Sequence, residues 1–268
     1  MAREGPIKAV VVVLLTALVC SSLVSGAVVL LRPIQLNNQL LDRSRNIMAL
    51  TGLLPADRMV KDDEMLVLFK SLDARVVNVD TGQFTTELDP DTFDMRRAAN
   101  DAELSTAVPA SEDPAKLGRR SRYAPVYLVW DGQELDRLIL PVRGAGMWSM
   151  LYGYIALQPD FTTIAGMTFY EQNETPGLGD QIAQPRWLSQ WSGKQLLDDQ
   201  GTPRFHVSEG KVEPGAVHAP FQVDGLTGAT VTGNAVTNLV HYWFGPHGYQ
   251  SLLQHLEAQP PRRGEDES

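Results

Sequence analysis

The segment VDGLTGATVTGNAV, Val223 to Val236, sets three hydroxyls, Thr227, Thr230 and Thr232, among three glycines, Gly225, Gly228 and Gly233, just before an apolar-periodic run. Small residues at a helix start leave backbone N–H groups uncovered, and with the helix dipole these favour an anion such as phosphate. The same residues also suit plain capping, with Thr230 or Thr232 as N-cap and Asp224-Gly225 as the preceding turn. Local chemistry leaves both readings open. It does exclude a nucleotide P-loop, because the lysine of GxxxxGK[ST] is missing, and the GxGxxG dinucleotide fingerprint is absent too. A second glycine-bearing segment, ETPGLGDQI, runs from Glu174 to Ile182.

Other chemistry is scarce. Cys20 is the single cysteine, so neither an intramolecular disulfide nor a cysteine-based metal site fits. The histidines, His206, His218, His241, His247 and His255, lack the close pairing of a metal motif, and no metal site is expected. No nucleophilic triad or carboxylate pair is visible. The net charge of -9 argues against nucleic acid, whose phosphates want a basic face.

The elements around these segments follow from hydropathy. Ala9 to Leu31 carries no charge and meets the roughly 20 apolar residues that cross a bilayer. VSGA at Val24 to Ala27 could serve as a cleavage site, but the apolar run continues past it, which favours a retained anchor over a signal peptide. A lipoprotein site at Cys20 is disfavoured by bulky Val19 before it. Arg3 and Lys8 before the span nearly balance Arg32, Arg43 and Arg45 after it; the short basic tail favours an N-terminus inside and the bulk of the chain outside.

Asn37 to Leu54 suits an amphipathic helix continuing from the span, and Asp62 to Phe84 a second helix and a strand. Asp89 to Arg122 is polar, and reads as a partly ordered surface excursion separating an N-terminal subregion from the core. Tyr123 to Trp130, a turn at Asp131-Gly132 and Leu135 to Val142 make a hairpin, and two more strands follow in a meander. Gln184 to Leu197 is expected as a helix with Trp187 and Trp191 in the core, then a short strand near His206, a helix after Thr230 and a last one from Gly248 to Ala258. The fold class is α+β, an N-terminal transmembrane helix followed by an exported domain with a mainly antiparallel sheet flanked by helices. The divisions are 1–8 as a cytoplasmic tail, 9–31 as the membrane helix, 32–122 as a helical and mixed subregion, 123–258 as the strand-rich domain and 259–268 as a disordered tail.

DGLTGAT resembles the Asp-x-x-[Ser/Thr]-Gly-Ala-[Thr/Ser] motif of proteins whose final hydroxyl is esterified to the phosphate of FMN. With PVRGAGMWSMLYGYIAL and YEQNETPGLG preceding it behind one apolar helix, the chain resembles the C subunit of the Na+-translocating NADH:quinone oxidoreductase, densely from Pro141 to Val240. The resemblance makes 123–258 an FMN-binding domain and Thr230 the covalent attachment residue. Asp224, Thr227, Gly228 and Ala229 then form the signature read by a flavin transferase that moves FMN from FAD. Pro220 to Gln222 resembles an insertion just upstream.

The resemblance further implies that Glu174, Thr175, Gly177, Leu178 and Gly179 pack against the flavin, with Trp148 as an aromatic wall. Each also has a plain reading: a surface carboxylate, turn glycines, a core tryptophan. The implied function is a relay of electrons inside a multi-subunit complex of the bacterial inner membrane, between a partner's iron centre and a second FMN. NADH oxidation and sodium conduction would fall to other subunits. The alternatives are the G-type subunit of the related Rnf complex and a non-redox exported binding domain.

Overall fold

The computed structural model describes residues 6–55 and 58–264; parts of the expected terminal tails lie outside the described residues. Helix α1, Pro6–Thr51, contains the apolar span, and Ile7–Thr51 is long and apolar enough to cross a membrane, with a mean hydropathy of 2.5 in its best window. Packing divides the chain after Arg45 into that apolar helical unit and a second unit from Asn46 onward.

In the second unit, α2 (Asp62–Lys70) opens on Asp62, Asp63 and Glu64 and closes on Lys70, which complements the helix dipole at both ends. Strands β1 (Asp73–Asn78) and β2 (Phe84–Thr85) follow. Next come α3 (Met95–Ala99) and the strands β3 (Ser105–Ala107) and β4 (Arg119–Ser121), which pair antiparallel. Strands β5 (Tyr123–Asp131), β6 (Glu134–Ala145), β7 (Met150–Leu157) and β8 (Ile164–Glu171) form the expected meander. The main sheet is antiparallel throughout, in the order β2-β1-β5-β6-β7-β8.

Side chains alternate across this sheet and bury both faces. Val126, Leu128, Leu138, Leu140 and Ile155 join the larger core. That core is closed by α5 (Thr230–Trp243) and α6 (Gln250–Ala258), through Leu239, Trp243, Leu252 and Leu256. Two polar contacts fix the helical layer: Trp243 Nε1 donates to the Arg143 carbonyl at 2.7 Å and Tyr249 Oη to the Pro141 carbonyl at 2.6 Å. Tyr127 points to the other face, where its ring meets Phe69 at 5.8 Å, and Arg137 Nη1 donates to the Leu50 carbonyl at 2.7 Å.

Three expectations need correction. The stretch 184–197 is helical only in α4 (Pro185–Leu188), which ends in a turn at Ser189; further on, Ile164 and Leu196 donate N–H groups to Lys194 and Thr162, so the chain runs along the β8 edge instead. Trp187 and Trp191 are core residues as expected. The stretch 89–122, expected as a partly ordered surface excursion, is ordered: Met95, Val108, Ala115 and Leu117 reach the core, and short polar ties fold the rest. Asp94 caps α3 by accepting the amides of Arg96 and Arg97, and the Asp113 carboxylate accepts those of Leu117 and Gly118. Finally, β1 pairs with β5 over six residue pairs, so 32–122 is not set apart from the strand-rich domain; the sheet spans residue 122.

Candidate functional site

Helix α5 begins at Thr230, and Ala229 at its N-cap has no side chain with which to cap. The first helical bond runs from Gly233 N–H to the Ala229 carbonyl at 3.0 Å, which leaves the amides of Thr230, Val231 and Thr232 ahead of it. Thr230 is exposed, and Gly228 turns the chain into the helix with φ +76°, a conformation that favours glycine. A strand pair holds this helix start from behind: β9 (His206–Val207) and β10 (Gln222–Val223) run parallel, and Val207 N–H donates to Thr237 Oγ1 at 3.0 Å.

The second glycine-bearing segment reaches the same place. Glu174 is 4% exposed, and its Oε1 accepts the backbone amides of Met147 at 3.0 Å and Trp148 at 3.2 Å. Its Oε2 accepts the Thr232 hydroxyl, so Thr232 joins two segments and caps nothing, contrary to the capping reading. Room for the carboxylate comes from two glycines. A Cβ on Gly146 would lie 2.5 Å from Glu174 Oε1, and one on Gly179 would lie 2.8 Å from Thr232 Oγ1. Both have ordinary backbone angles, so space rather than conformation explains them.

The loop between these points forms a wall. Trp148 is 67% exposed, unlike a core tryptophan, and its Nε1 donates to Thr175 Oγ1 at 3.0 Å. The Thr175 carbonyl accepts the amide of Leu178 at 3.1 Å across a turn at Gly177, φ +77°. Leu178, 41% exposed, lies against Gly228, where an added Cβ would meet its Cδ2 at 3.0 Å. Trp148, Glu174, Thr175, Leu178 and Gly179 therefore converge with Gly228 and Thr232 beside Thr230. Gly177 serves the turn, Ala229 is buried, and Asp224 is turned toward a different neighbour, the amide of Val212 at 2.8 Å.

An exposed hydroxyl beside three amides that make no hydrogen bond among the described residues suits a phosphate, and the exposed apolar surfaces of Trp148, Leu178 and Val231 suit a planar ring. The residues present thus fit FMN. Residues 146–245 match the FMN-binding domain family, so fold and site define an FMN-binding protein.

Over nearly its whole length the chain belongs to the family of the C subunit of the Na(+)-translocating NADH-quinone reductase. It is 44% identical to the protein of that name from Pseudomonas aeruginosa, with 98% of each chain covered. It is 39% identical to the one from Vibrio alginolyticus, with 92% and 93% covered. The crystal structure of Shewanella oneidensis NqrC superposes with a TM-score of 0.74 at 35% identity, covering 83% of this chain and 98% of that one.

Residue types hid part of the site. Nothing in the sequence singles out the amides of Met147 and Trp148 or the hydroxyl of Thr232 as partners of Glu174. The one available signal was a glutamate followed by a glycine-bearing loop with a distant Trp and Thr to bind.

Proposed function

We propose that this chain is an electron-relay subunit that bears FMN as a phosphoester on Thr230, within a membrane complex that couples NADH oxidation by quinone to Na+ export. The observation that carries the placement is the exposed Thr230 hydroxyl at the uncapped start of a helix of 14 residues. When bound, FMN supplies one-electron acceptance and donation.

The chain's own residues do the rest. Thr230 Oγ tethers the phosphate, and the amides of Thr230, Val231 and Thr232 with the helix dipole stabilise its charge. Trp148 and Leu178 offer apolar surface that keeps water from the ring, and Glu174 holds the backbone under Trp148 against α5. A tether matters for a domain outside the cytoplasm, where lost flavin is not replaced from the cytosolic pool.

In maturation, a flavin transferase acts on FAD: the Thr230 Oγ–P bond forms, the phosphoanhydride P–O bond breaks, AMP leaves with the bridging oxygen, and the hydroxyl proton is released. Helix α1 anchors the chain in the bacterial inner membrane, with the N-terminus in the cytoplasm and residues beyond the span on the periplasmic side. The other subunits of the complex are its electron partners.

The test is a denaturing gel of protein coexpressed with the transferase. The wild-type band fluoresces as flavin, Thr230→Ser keeps the signal and Thr230→Ala abolishes it. Flavin persisting on the alanine variant overturns the assignment.

A further inference from the structure

Asp224 opens the acceptor signature, yet the fold already uses most of its polar atoms. Its amide donates to Gln190 Oε1 at 3.0 Å, its carbonyl accepts Trp187 Nε1 at 2.8 Å, and its carboxylate Oδ1 accepts the Val212 amide at 2.8 Å. Gly225 closes the same junction. Its amide donates to the Gly210 carbonyl at 2.7 Å, and a side chain there would run into the carbonyl of Ser208. Ala229, another signature residue, is buried. Thr227, Gly228 and Thr230 are exposed instead, and among the described residues neither threonine hydroxyl makes a hydrogen bond.

The signature thus divides into a stem that faces the fold and a tip that faces solvent. We propose that Asp224 is a positioning residue, whose carboxylate ties Val212, in the arm from Glu209 to His218, to the stem, and that the flavin transferase reads only the exposed tip, Thr227, Gly228 and Thr230. This rests on Thr230 being the acceptor. The physical reason is preorganisation. The arm from Glu209 to His218 is almost wholly exposed, with Val217 85% accessible, so it contributes little packing of its own. The Val212 tie fixes that arm beside the stem of the acceptor. A stem that wanders presents Thr230 in a competent pose for a smaller fraction of the time, which lowers apparent affinity for the transferase.

The proposal is tested on the full-length apo-protein in detergent, with purified flavin transferase and FAD, following flavin fluorescence of the denatured band over time. Asp224→Asn keeps an oxygen that accepts the Val212 amide but removes the charge. Val212→Pro removes the donor without touching the signature. The asparagine variant is expected to load within about threefold of wild type. The proline variant is expected to lose about tenfold, as for one ordinary hydrogen bond, through a raised KM for the acceptor with kcat little changed.

Hydrogen exchange at the Val212 amide, protected in wild type and in the asparagine variant but not in Asp224→Ala, separates a broken tie from global unfolding. Loss of more than about threefold in the asparagine variant, or wild-type loading by the folded proline variant, overturns the proposal. Flavin on Thr230→Ala would overturn the acceptor assignment itself, whatever these variants do.

Discussion

Thr232, in the first turn of α5, donates its hydroxyl to the carboxylate of Glu174, 58 residues earlier in the chain. The same carboxylate receives the amides of Met147 and Trp148, so one buried side chain joins the β6–β7 turn, the loop after β8 and the helix that bears Thr230. One group thus ties together three segments of the proposed flavin site, and that makes its removal informative.

Glu174→Ala leaves two amides and a hydroxyl without their acceptor in a dry place. Hydrogen bonds to a charged group contribute about 1.5–3 kcal/mol each in favourable cases, but partial rehydration offsets much of this, so a net loss of about 3 kcal/mol is expected. Glu174→Gln keeps one acceptor oxygen and should cost about 1 kcal/mol. Urea unfolding of the apo-protein measures both. Equal losses would mean that the charge and not the bonding pattern holds the site.

Gly228→Ala places a Cβ at φ +76°, a conformation costing an L-residue about 1–2 kcal/mol, and presses it on Leu178 Cδ2. Gly177→Ala carries the same backbone penalty at φ +77° but meets no neighbour within 4 Å. The two variants should therefore melt alike, while only Gly228→Ala slows flavin attachment, as read by in-gel fluorescence. Equal attachment in both would detach Gly228 from the acceptor tip.

These positions show what the sequence made legible. The meander from Tyr123 to Glu171 was readable because alternating apolar residues and turn glycines report a local preference, and so was α5, whose apolar face repeats at helical spacing. The stretch 184–197 misleads because Trp187 and Trp191 lie four apart, a helical spacing; α4 nevertheless ends at Leu188, and pairing with Thr162 and Ile164 takes over from Gly193. The ties of 89–122 are side-chain to backbone bonds, which leave no hydrophobic period to read. At the site, the helix start proposed to seat the phosphate is legible as small residues before an apolar-periodic run. The Glu174 junction is not, because its partners are backbone amides, and every residue except proline has one.

Trp148→Ala removes an exposed ring and its bond to Thr175, so stability should change by no more than about 0.5 kcal/mol. The flavin-loaded protein should respond more: iodide quenching of flavin fluorescence rises when the wall is gone. Unchanged quenching with intact loading would show that Trp148 does not cover the ring.

His241, on α5, gives a prediction about pH. Its Nε2 lies 2.8 Å from the Phe205 carbonyl, which can only accept, so that nitrogen carries the proton of the neutral ring. Burial lowers its pKa below the ordinary value of 6.5, opposed by the bond to Phe205, with nearby His206 lowering it further. The folded state thus binds the second proton less readily than the unfolded chain. Stability from this group is fully present above about pH 6.5 and is lost as pH falls through that value toward the lower folded pKa. His241→Gln can keep a donor to Phe205 without titrating. Urea midpoints measured from pH 7.5 to 5 should fall more steeply for the wild type than for the glutamine variant, and parallel curves would place the acid sensitivity elsewhere. Because this bond holds the residue just before β9 to α5, the same titration should loosen the support behind Thr230, so flavin loading of the apo-protein should decline over the same interval in the wild type and not in the variant.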